Sequence, residues 1–258
     1  MAGPTIRRRH LGAALRQLRT ESDETREQAA FVLGCSPTKV TYLESGRNVI
    51  GKTELIVLLQ HYGAEDRLET LEELRQEAGK RGWWSTARLP QWLAAYVGLE
   101  TEASSVRCFE LELIPGLLQT EQYTREIHRL RGHVTPDDLE RRVTARLRRQ
   151  ERLTASDPLR LSALLSEAAL KRCARQPGVA AEQFRQLLDW AQRPNVEIQV
   201  LPFDIGLHSG MSGAFTLLSF PEGLLPDAGW QEYALGGHLI DDESDVAALA
   251  RLYDELRG

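Results

Sequence analysis

Side chains that can hydrogen-bond to nucleic-acid bases or phosphates are grouped in one short segment, at Thr38, Lys39, Thr41 and Tyr42. The threonine hydroxyls can bind base edges or phosphates, and their methyl groups can contact thymine. The Lys39 ammonium can reach a guanine or a phosphate, and Tyr42 can stack or bind a phosphate through its hydroxyl. These four residues are therefore candidates for reading DNA bases.

Two short helices separated by a tight turn must position these side chains. Thr25 is a good N-cap with Gln28 three residues later, as in a capping box, and this helix stops at Gly34. Ser36-Pro37 then starts a second helix with a serine N-cap and a proline at the first position, and Gly46 ends it.

The second of these helices has one apolar side, formed by Val40 and Leu43. If this side packs inward, the four polar side chains point outward. In a helix-turn-helix the second helix lies in the major groove, where such side chains reach base edges.

Apolar spacing extends this pattern to five short helices in residues 1–80, which predicts an all-α domain. Glycine, proline and a lack of periodicity in residues 79–90 place a domain boundary there. Residues 81–258 are predicted to form a larger mixed α/β domain, so the chain as a whole is α+β. Its predicted helices are 90–98, 120–131, 137–153, 166–174, 180–192 and 243–257, and its predicted strands are 105–112, 158–165, 196–202, 214–220 and 230–235.

The charge balance is uneven along the chain. The net charge is −5, which argues against a protein that coats nucleic acid indiscriminately, but residues 1–52 contain nine Arg and Lys against five acids. Residues 53–80 contain three bases against seven acids. For Arg7-Arg8-Arg9, two alternatives stay open: an arm that reaches into a groove, or a frayed, solvated terminus.

The first domain resembles the Cro/C1-type (xenobiotic response element) helix-turn-helix family over residues 15–19, 25–30, 34–36, 40–47 and 55–63. The resemblance implies a scaffold ion pair between Arg19 and Glu44. It also implies phosphate contacts at three places in the motif. These are the start of its first helix (Thr25 and Arg26), the turn (Ser36) and the residues just past the recognition helix (Arg47 and Asn48). Pro37 departs from the family, because a polar base reader is common at this position.

Residues 82–257 resemble the large C-terminal domain, of uncharacterised function, of many actinobacterial regulators. The similar segments are 83–84, 89–93, 96–100, 103–105, 113–120 with Tyr123, 146–152, 164–168, 198–203 and 213–221. The stretch from Trp230 to His238 departs from the strand that is usual there. Some proteins of this kind resemble the antitoxin-like half of a pair encoded beside a small partner protein.

A partner or ligand surface in the second domain is assigned to Arg146, Arg149, Trp83, Trp84 and Trp92. Both arginines lie in an arginine-rich helix whose apolar face includes Val143 and Leu147, so the main interpretation is a solvated or salt-bridged polar face and the alternative is an anion or partner site. The tryptophans favour packing between domains over a ligand pocket.

Neither an enzyme nor a cofactor is predicted. Residues 208–213 are rich in serine and glycine but lack the spacing of a nucleophile elbow. His128 and His133 are interpreted as solvated helix-end residues rather than zinc ligands, and the three cysteines as reduced structural thiols. An enzyme with a DNA-binding appendage would need an acid/base or metal constellation that residues 82–258 do not suggest.

The sequence thus predicts a cytoplasmic, sequence-specific transcriptional regulator that binds a pseudopalindromic double-stranded DNA operator as a homodimer. A small-molecule effector or a small protein from a neighbouring gene would act through the second domain. The alternative is an antitoxin-like module that sequesters the small protein and autoregulates its own operon. No signal peptide and no membrane span are expected, since the longest aliphatic run is only residues 55–59.

Overall fold

The computed structural model describes residues 6–79, 83–85, 87–130, 134–221 and 226–258. The chain divides into two compact units between Thr86 and Ala87. The predicted division into 1–80 and 81–258, within the boundary region 79–90, falls between two residues outside the described ones and stays a prediction. In the described part of the chain, no helix is long and apolar enough to cross a membrane.

The first unit contains the five predicted helices. They are α1 (Ile6–Glu21), α2 (Arg26–Val32), α3 (Pro37–Glu44), α4 (Lys52–Tyr62) and α5 (Leu68–Gly79), with short 3-10 turns at Glu65–Arg67 and Trp83–Ser85. Thr25 and Gln28 form the capping box of α2, and the Ser36 hydroxyl accepts from the Lys39 backbone N–H at the start of α3. The local signals therefore place both helices of the helix-turn-helix correctly.

The core of this unit is formed by the periodic apolar positions of its helices. Leu11, Leu15 and Leu18 of α1 are buried together with Val40 and Leu43 of α3. Because α3 has only two large apolar side chains, its position also depends on close contact between backbones.

Gly12 makes that close contact possible. A Cβ atom at Gly12 would lie 2.5 Å from the Glu44 carbonyl oxygen and 2.7 Å from that of Leu43. The last turn of α3 therefore rests directly on the backbone of α1, and Gly46, with φ +70°, ends the helix as predicted.

The arginines at the start of the chain belong to α1 rather than to an arm or a frayed end. Arg7 pairs with Glu77, and the Arg8 Nε donates to the Ala78 carbonyl oxygen at 3.2 Å. Both alternatives of the sequence analysis are therefore wrong for these two residues. These contacts arise in the tertiary structure, because α1 packs along the acid-rich α5, which supplies the hydrogen-bond acceptors.

The second unit is the predicted mixture of helices and strands. Its helices are α6 (Gln91–Glu102), α7 (Glu121–Leu130), α8 (Pro136–Gln150), α9 (Glu167–Ala174), α10 (Pro177–Ala191) and α11 (Glu243–Arg257). Its strands are β1 (Ser105–Glu110), β2 (Arg160–Ser166), β3 (Val196–Leu201), β4 (Phe215–Ser219), β5 (Ala228–Tyr233) and β6 (Gly236–Ile240).

These strands form one mixed sheet in the order β3-β2-β1-β4-β5-β6. The β1–β2 and β2–β3 pairs are parallel, whereas the β1–β4, β4–β5 and β5–β6 pairs are antiparallel. The stretch from Trp230 to His238, interpreted as a departure from a usual strand, is part of the β5–β6 hairpin. Strand β6 was not predicted because two glycines and a histidine have little strand propensity, and its pairing with β5 supplies the missing stability.

The register separates the two faces of the sheet. Phe109 of β1 is opposite Phe215 of β4, and both pack with Tyr253 of α11 in a buried cluster. Cys108 is opposite Thr216, which is opposite Trp230 of β5, so these residues point to the other face. Glu110, two residues after Cys108, shares that second face, which lies toward α6 and α8.

Replacing Gly12 with alanine should destabilise the first unit by about 1–3 kcal/mol, because the added methyl must push α1 away from the end of α3. Urea unfolding followed by circular dichroism measures this change. Gly79→Ala is the control, since a Cβ at Gly79, another helical glycine, meets no atom of the described residues within 4 Å. Equal stabilities for both variants would contradict the proposed contact.

Candidate functional site

The outer face of α3 carries most of the predicted base readers. Thr38, Thr41 and Tyr42 are exposed, whereas Val40 and Leu43 are buried beneath them. Thr41 donates its hydroxyl hydrogen to the Pro37 carbonyl oxygen at 3.1 Å, which leaves its methyl group and oxygen lone pairs for a partner. The helix thus presents short hydroxyl side chains and one aromatic ring to solvent.

Lys39 is less available than its position in the sequence suggests. Its ammonium pairs with Glu54 at the start of α4, and this hydrogen bond raises the pKa of Lys39. The second carboxylate oxygen of Glu54 accepts from the Gly51 backbone N–H at 3.1 Å. Lys39 must therefore exchange an intramolecular acceptor for a base or a phosphate, so its role as a reader stays a prediction. Glu54 was not singled out from the sequence.

Glu44, at the end of α3, is a buried carboxylate held by two arginines. Its side chain is 5% exposed, and it accepts from the Arg19 Nε at 2.6 Å and from the Arg26 Nε at 2.8 Å. The hydrogen bond to Glu44 raises the pKa of Arg19. The ion pair implied by the resemblance, between Arg19 and Glu44, is thus present, and Arg26, expected at a phosphate, is its second partner.

The remaining predicted phosphate ligands lie at the ends of α2 and α3. The hydroxyls of Thr25 and Ser36 accept backbone hydrogen bonds as N-caps, which fixes their rotamers while the side chains remain exposed. Arg47 and Asn48 are exposed just past α3, and the Arg47 guanidinium carbon lies 5.4 Å from the centroid of the Tyr42 ring. Arg47 and Tyr42 therefore form one continuous surface at this end of the helix.

The second unit contains a cavity of about 380 Å³ on the β1–β4–β5 face of the sheet. Its volume lies within the usual range for small-molecule sites. Helices α6, α7 and α8 cover it, and three of the predicted ligand-surface residues line it, namely Trp92, Arg146 and Arg149. The sequence did not indicate the others that matter for its chemistry, which are Tyr96, Glu110, Trp230 and Glu232.

Arg149 is a buried structural residue, not part of a solvated helix face. It is 6% exposed, and its Nε and Nη2 donate to the two oxygens of Glu100, itself 2% exposed, at 2.6 and 2.7 Å. Burial by itself lowers the pKa of Arg149, but the Glu100 charge and hydrogen bonds raise it above its ordinary value. Of the predicted solvated or salt-bridged face, the salt bridge is confirmed for Arg149. Solvation is wrong there, because Glu100 on α6 supplies a buried acceptor that helical periodicity cannot indicate. Leu147, assigned to the apolar face, is exposed instead.

Arg146 lies one turn before Arg149 and faces the cavity. Its guanidinium presses against Gly116, where a Cβ atom would overlap Nη1. Desolvation and the neighbouring Arg149 charge lower the pKa of Arg146 to about 10. Within the described part of the chain, Arg146 makes no hydrogen bond and no ion pair. Arg146 therefore lies close to a second cation without a carboxylate of the described residues in direct contact, although the charges of Glu232 and Glu100 act to raise its pKa.

The walls around this cation are largely aromatic, and three carboxyl groups, those of Glu110, Glu112 and Glu232, also line the cavity. The Arg149 guanidinium carbon lies 5.1 Å from the Tyr96 ring centroid, and the Tyr96 and Trp230 rings are 5.4 Å apart. Burial, and next the charge of Glu232, raise the pKa of Glu110 to about 8. At neutral pH this carboxyl is mostly protonated and can donate a hydrogen bond.

Other residues singled out from the sequence lie elsewhere. Trp83 and Trp84 belong to the 3-10 turn of the first unit, where their rings meet edge to face at 6.1 Å, and they do not line the cavity. His128 is 6% exposed and lines the cavity, so the prediction of a solvated histidine is wrong for it. His133 lies outside the described residues.

Replacing either of the two arginines that pair with Glu44 should lower the free energy of unfolding, but by different amounts. Arg19→Met should destabilise the first unit by about 3 kcal/mol, because it strands a buried carboxylate. Arg26→Met should cost no more than about 1 kcal/mol, since the Arg26 side chain is 40% exposed and solvent screens its charge. Urea unfolding of both variants measures the difference, and equal losses would show that the two pairs contribute alike.

Glu110 should make the second unit less stable as pH rises. Its folded pKa of about 8 lies above its unfolded value, so the folded state binds more protons between these values and loses stability as pH increases through this window. Glu110→Gln should therefore be more stable than the wild type by at least about 1 kcal/mol at pH 8. Thermal unfolding at pH 5, 6.5 and 8 should show this advantage shrinking toward pH 5, and a difference independent of pH would refute the assignment.

Two families match this chain. Residues 10–74 match the model described as a helix-turn-helix domain, and residues 93–258 match the model described as a domain of unknown function, DUF5753. Comparison with the curated proteins and with the solved structures found no significant match. Since the second match spans more than half of the sequence, the chain belongs to the DUF5753 family and has a helix-turn-helix domain before that region.

Proposed function

We propose that this protein is a sequence-specific transcriptional regulator of the Cro/C1 type, in which α3 enters the major groove. The observation that carries the proposal is the exposed row of Thr38, Thr41 and Tyr42 on a helix whose opposite side is buried. The helix-turn-helix match over residues 10–74 supports a DNA partner. Hydroxyl and aromatic side chains on such a helix suit base edges and thymine methyl groups.

The proposal includes a homodimer on a pseudopalindromic operator. An operator half-site is about one helical turn from its mate, and a single α3 can read only one half-site, so two copies are required. Arg26 and Arg47, at the edges of the motif, contact phosphates in this proposal. The proposed function includes no catalytic step.

The second unit supplies the regulatory input. A cavity with aromatic walls and the guanidinium of Arg146 suits a small ligand, which alters DNA affinity only if it binds the free and DNA-bound forms differently. The antitoxin-like alternative needs an apolar protein-binding surface instead, and the exposed residues Phe203, Ile205, Leu207 and Met211 are the candidates for it.

Binding to the DNA upstream of the protein's own gene, compared with a random duplex across a salt series, tests the proposal. The wild type should prefer the upstream DNA and show a steep salt dependence. Arg47→Ala should weaken both complexes and reduce the salt slope by about one. Thr38→Ala and Tyr42→Phe should instead reduce the ratio of the two affinities, roughly tenfold for Thr38→Ala.

Arg16→Ala is the matched control, because Arg16 is exposed on α1, outside the helix-turn-helix. It should leave the ratio of affinities unchanged. Equal, weak binding of the wild type to both duplexes would refute operator binding by this protein alone. The same titration with the neighbouring gene's protein added would then test the antitoxin-like alternative.

A further inference from the structure

Two arginines one turn apart on α8 have opposite surroundings. Arg149 has both carboxylate oxygens of Glu100, whereas Arg146 has no acceptor within the described residues. A guanidinium carries five N–H donors in a planar fork. Arg146 is partly buried, and its N–H groups remain accessible from the cavity. Arg146 faces the cavity, so a ligand bound there can supply the acceptor.

The shape of the guanidinium and the charges around it select the class of acceptor. A planar fork matches a carboxylate with two parallel hydrogen bonds. Arg142 and the exposed Glu232 also line the cavity, and these opposite charges offset each other, which favours a singly charged acid over a multiply charged group such as a nucleotide phosphate. Glu112 also lines it but is paired with Arg172. Glu110 adds little repulsion because its raised pKa, about 8, keeps it mostly protonated at neutral pH.

The rest of the lining selects the body of the ligand. Trp92, Tyr96 and Trp230 provide aromatic surface, and Leu113 and Ile127 add aliphatic surface. A cavity of about 380 Å³ holds a small molecule but not a folded protein element. An apolar body of one or two rings would cover these side chains while its acid group reaches Arg146.

The geometry points to a binding site for a small monocarboxylic acid whose carboxylate pairs with Arg146 and whose aromatic or aliphatic body packs against Trp92 and Trp230. This site deepens the proposed function, on which its regulatory role rests: the acid is the effector that changes operator affinity. The binding site itself is independent of any role in DNA binding.

Calorimetric titration of the full chain with naphthaleneacetate and with naphthaleneacetamide tests the site. The two probes share one apolar body and differ only in the acid group. The wild type should bind the acid at least roughly tenfold more tightly than the amide, and acetate alone should bind too weakly to measure. Arg146→Met, which keeps the aliphatic stem and removes the charge, should abolish this preference.

Arg148→Met is the control, because Arg148 is exposed on the same helix and does not line the cavity. It should keep the preference for the acid. Arg146→Met should unfold at about the same temperature as the wild type, since Arg146 makes no hydrogen bond or ion pair within the described residues. The comparison of acid with amide on the wild type decides the question even if a variant misfolds.

The site would be overturned by equal wild-type affinity for acid and amide, or by an unchanged preference in Arg146→Met. It would also be overturned if neither naphthalene probe bound at a concentration of about 5 mM, which is high enough to detect even a millimolar Kd. Operator binding measured with and without naphthaleneacetate separates the two proposals. Selective operator binding without acid binding would refute only the site. Acid binding without operator selectivity would refute the proposed function and leave the site intact.

Discussion

The arrangement of the helix-turn-helix depends on one buried carboxylate, that of Glu44. Removing a carboxylate from water costs several kcal/mol unless cations and hydrogen bonds compensate it. Arg19 from α1 and Arg26 from α2 both supply these, so the end of α3 is tied to two other helices at once. Gly12 brings the backbones of α1 and α3 into direct contact at the same point. Side chains on the outer face of α3 therefore project from a rigid base, which base recognition requires.

The second unit also contains a buried carboxylate paired with an arginine, but a neighbouring arginine, Arg146, has no such partner within the described residues. Glu100 neutralises Arg149 and so holds α6 against α8, which fixes one wall of the cavity. Arg146 receives no such carboxylate within the described residues, although it lies beside a second cation. A cation with no carboxylate in direct contact has its N–H donors available to a ligand, and this availability is the basis of the proposed acid site.

Tertiary contacts also change what the charge pattern means for DNA. The first 52 residues carry an excess of positive charge, but Arg7 and Arg8 bind α5, Lys39 pairs with Glu54, and Arg19 is committed to Glu44. Much of that excess therefore stabilises the fold instead of facing a phosphate backbone. In the proposed complex, more of the binding energy must come from base contacts, which favours discrimination over general affinity.

The sequence by itself determined the local structure, the helix-turn-helix and which side of α3 faces outward. Capping boxes, proline at the start of a helix and apolar spacing act within a few residues, so they can be recognised without the fold. The tertiary structure alone decided the pairing of Arg149 with Glu100, the acceptors of Arg7 and Lys39, the strand β6 and the cavity. The ion pairs and the cavity depend on residues far apart in the chain, such as Glu100 and Arg149, which are 49 positions apart. Strand β6 depends instead on its hairpin partner β5, whose pairing compensates for the low strand propensity of β6. Periodicity shows that a helix has a polar side, but burial of an arginine depends on whether a distant element supplies its carboxylate.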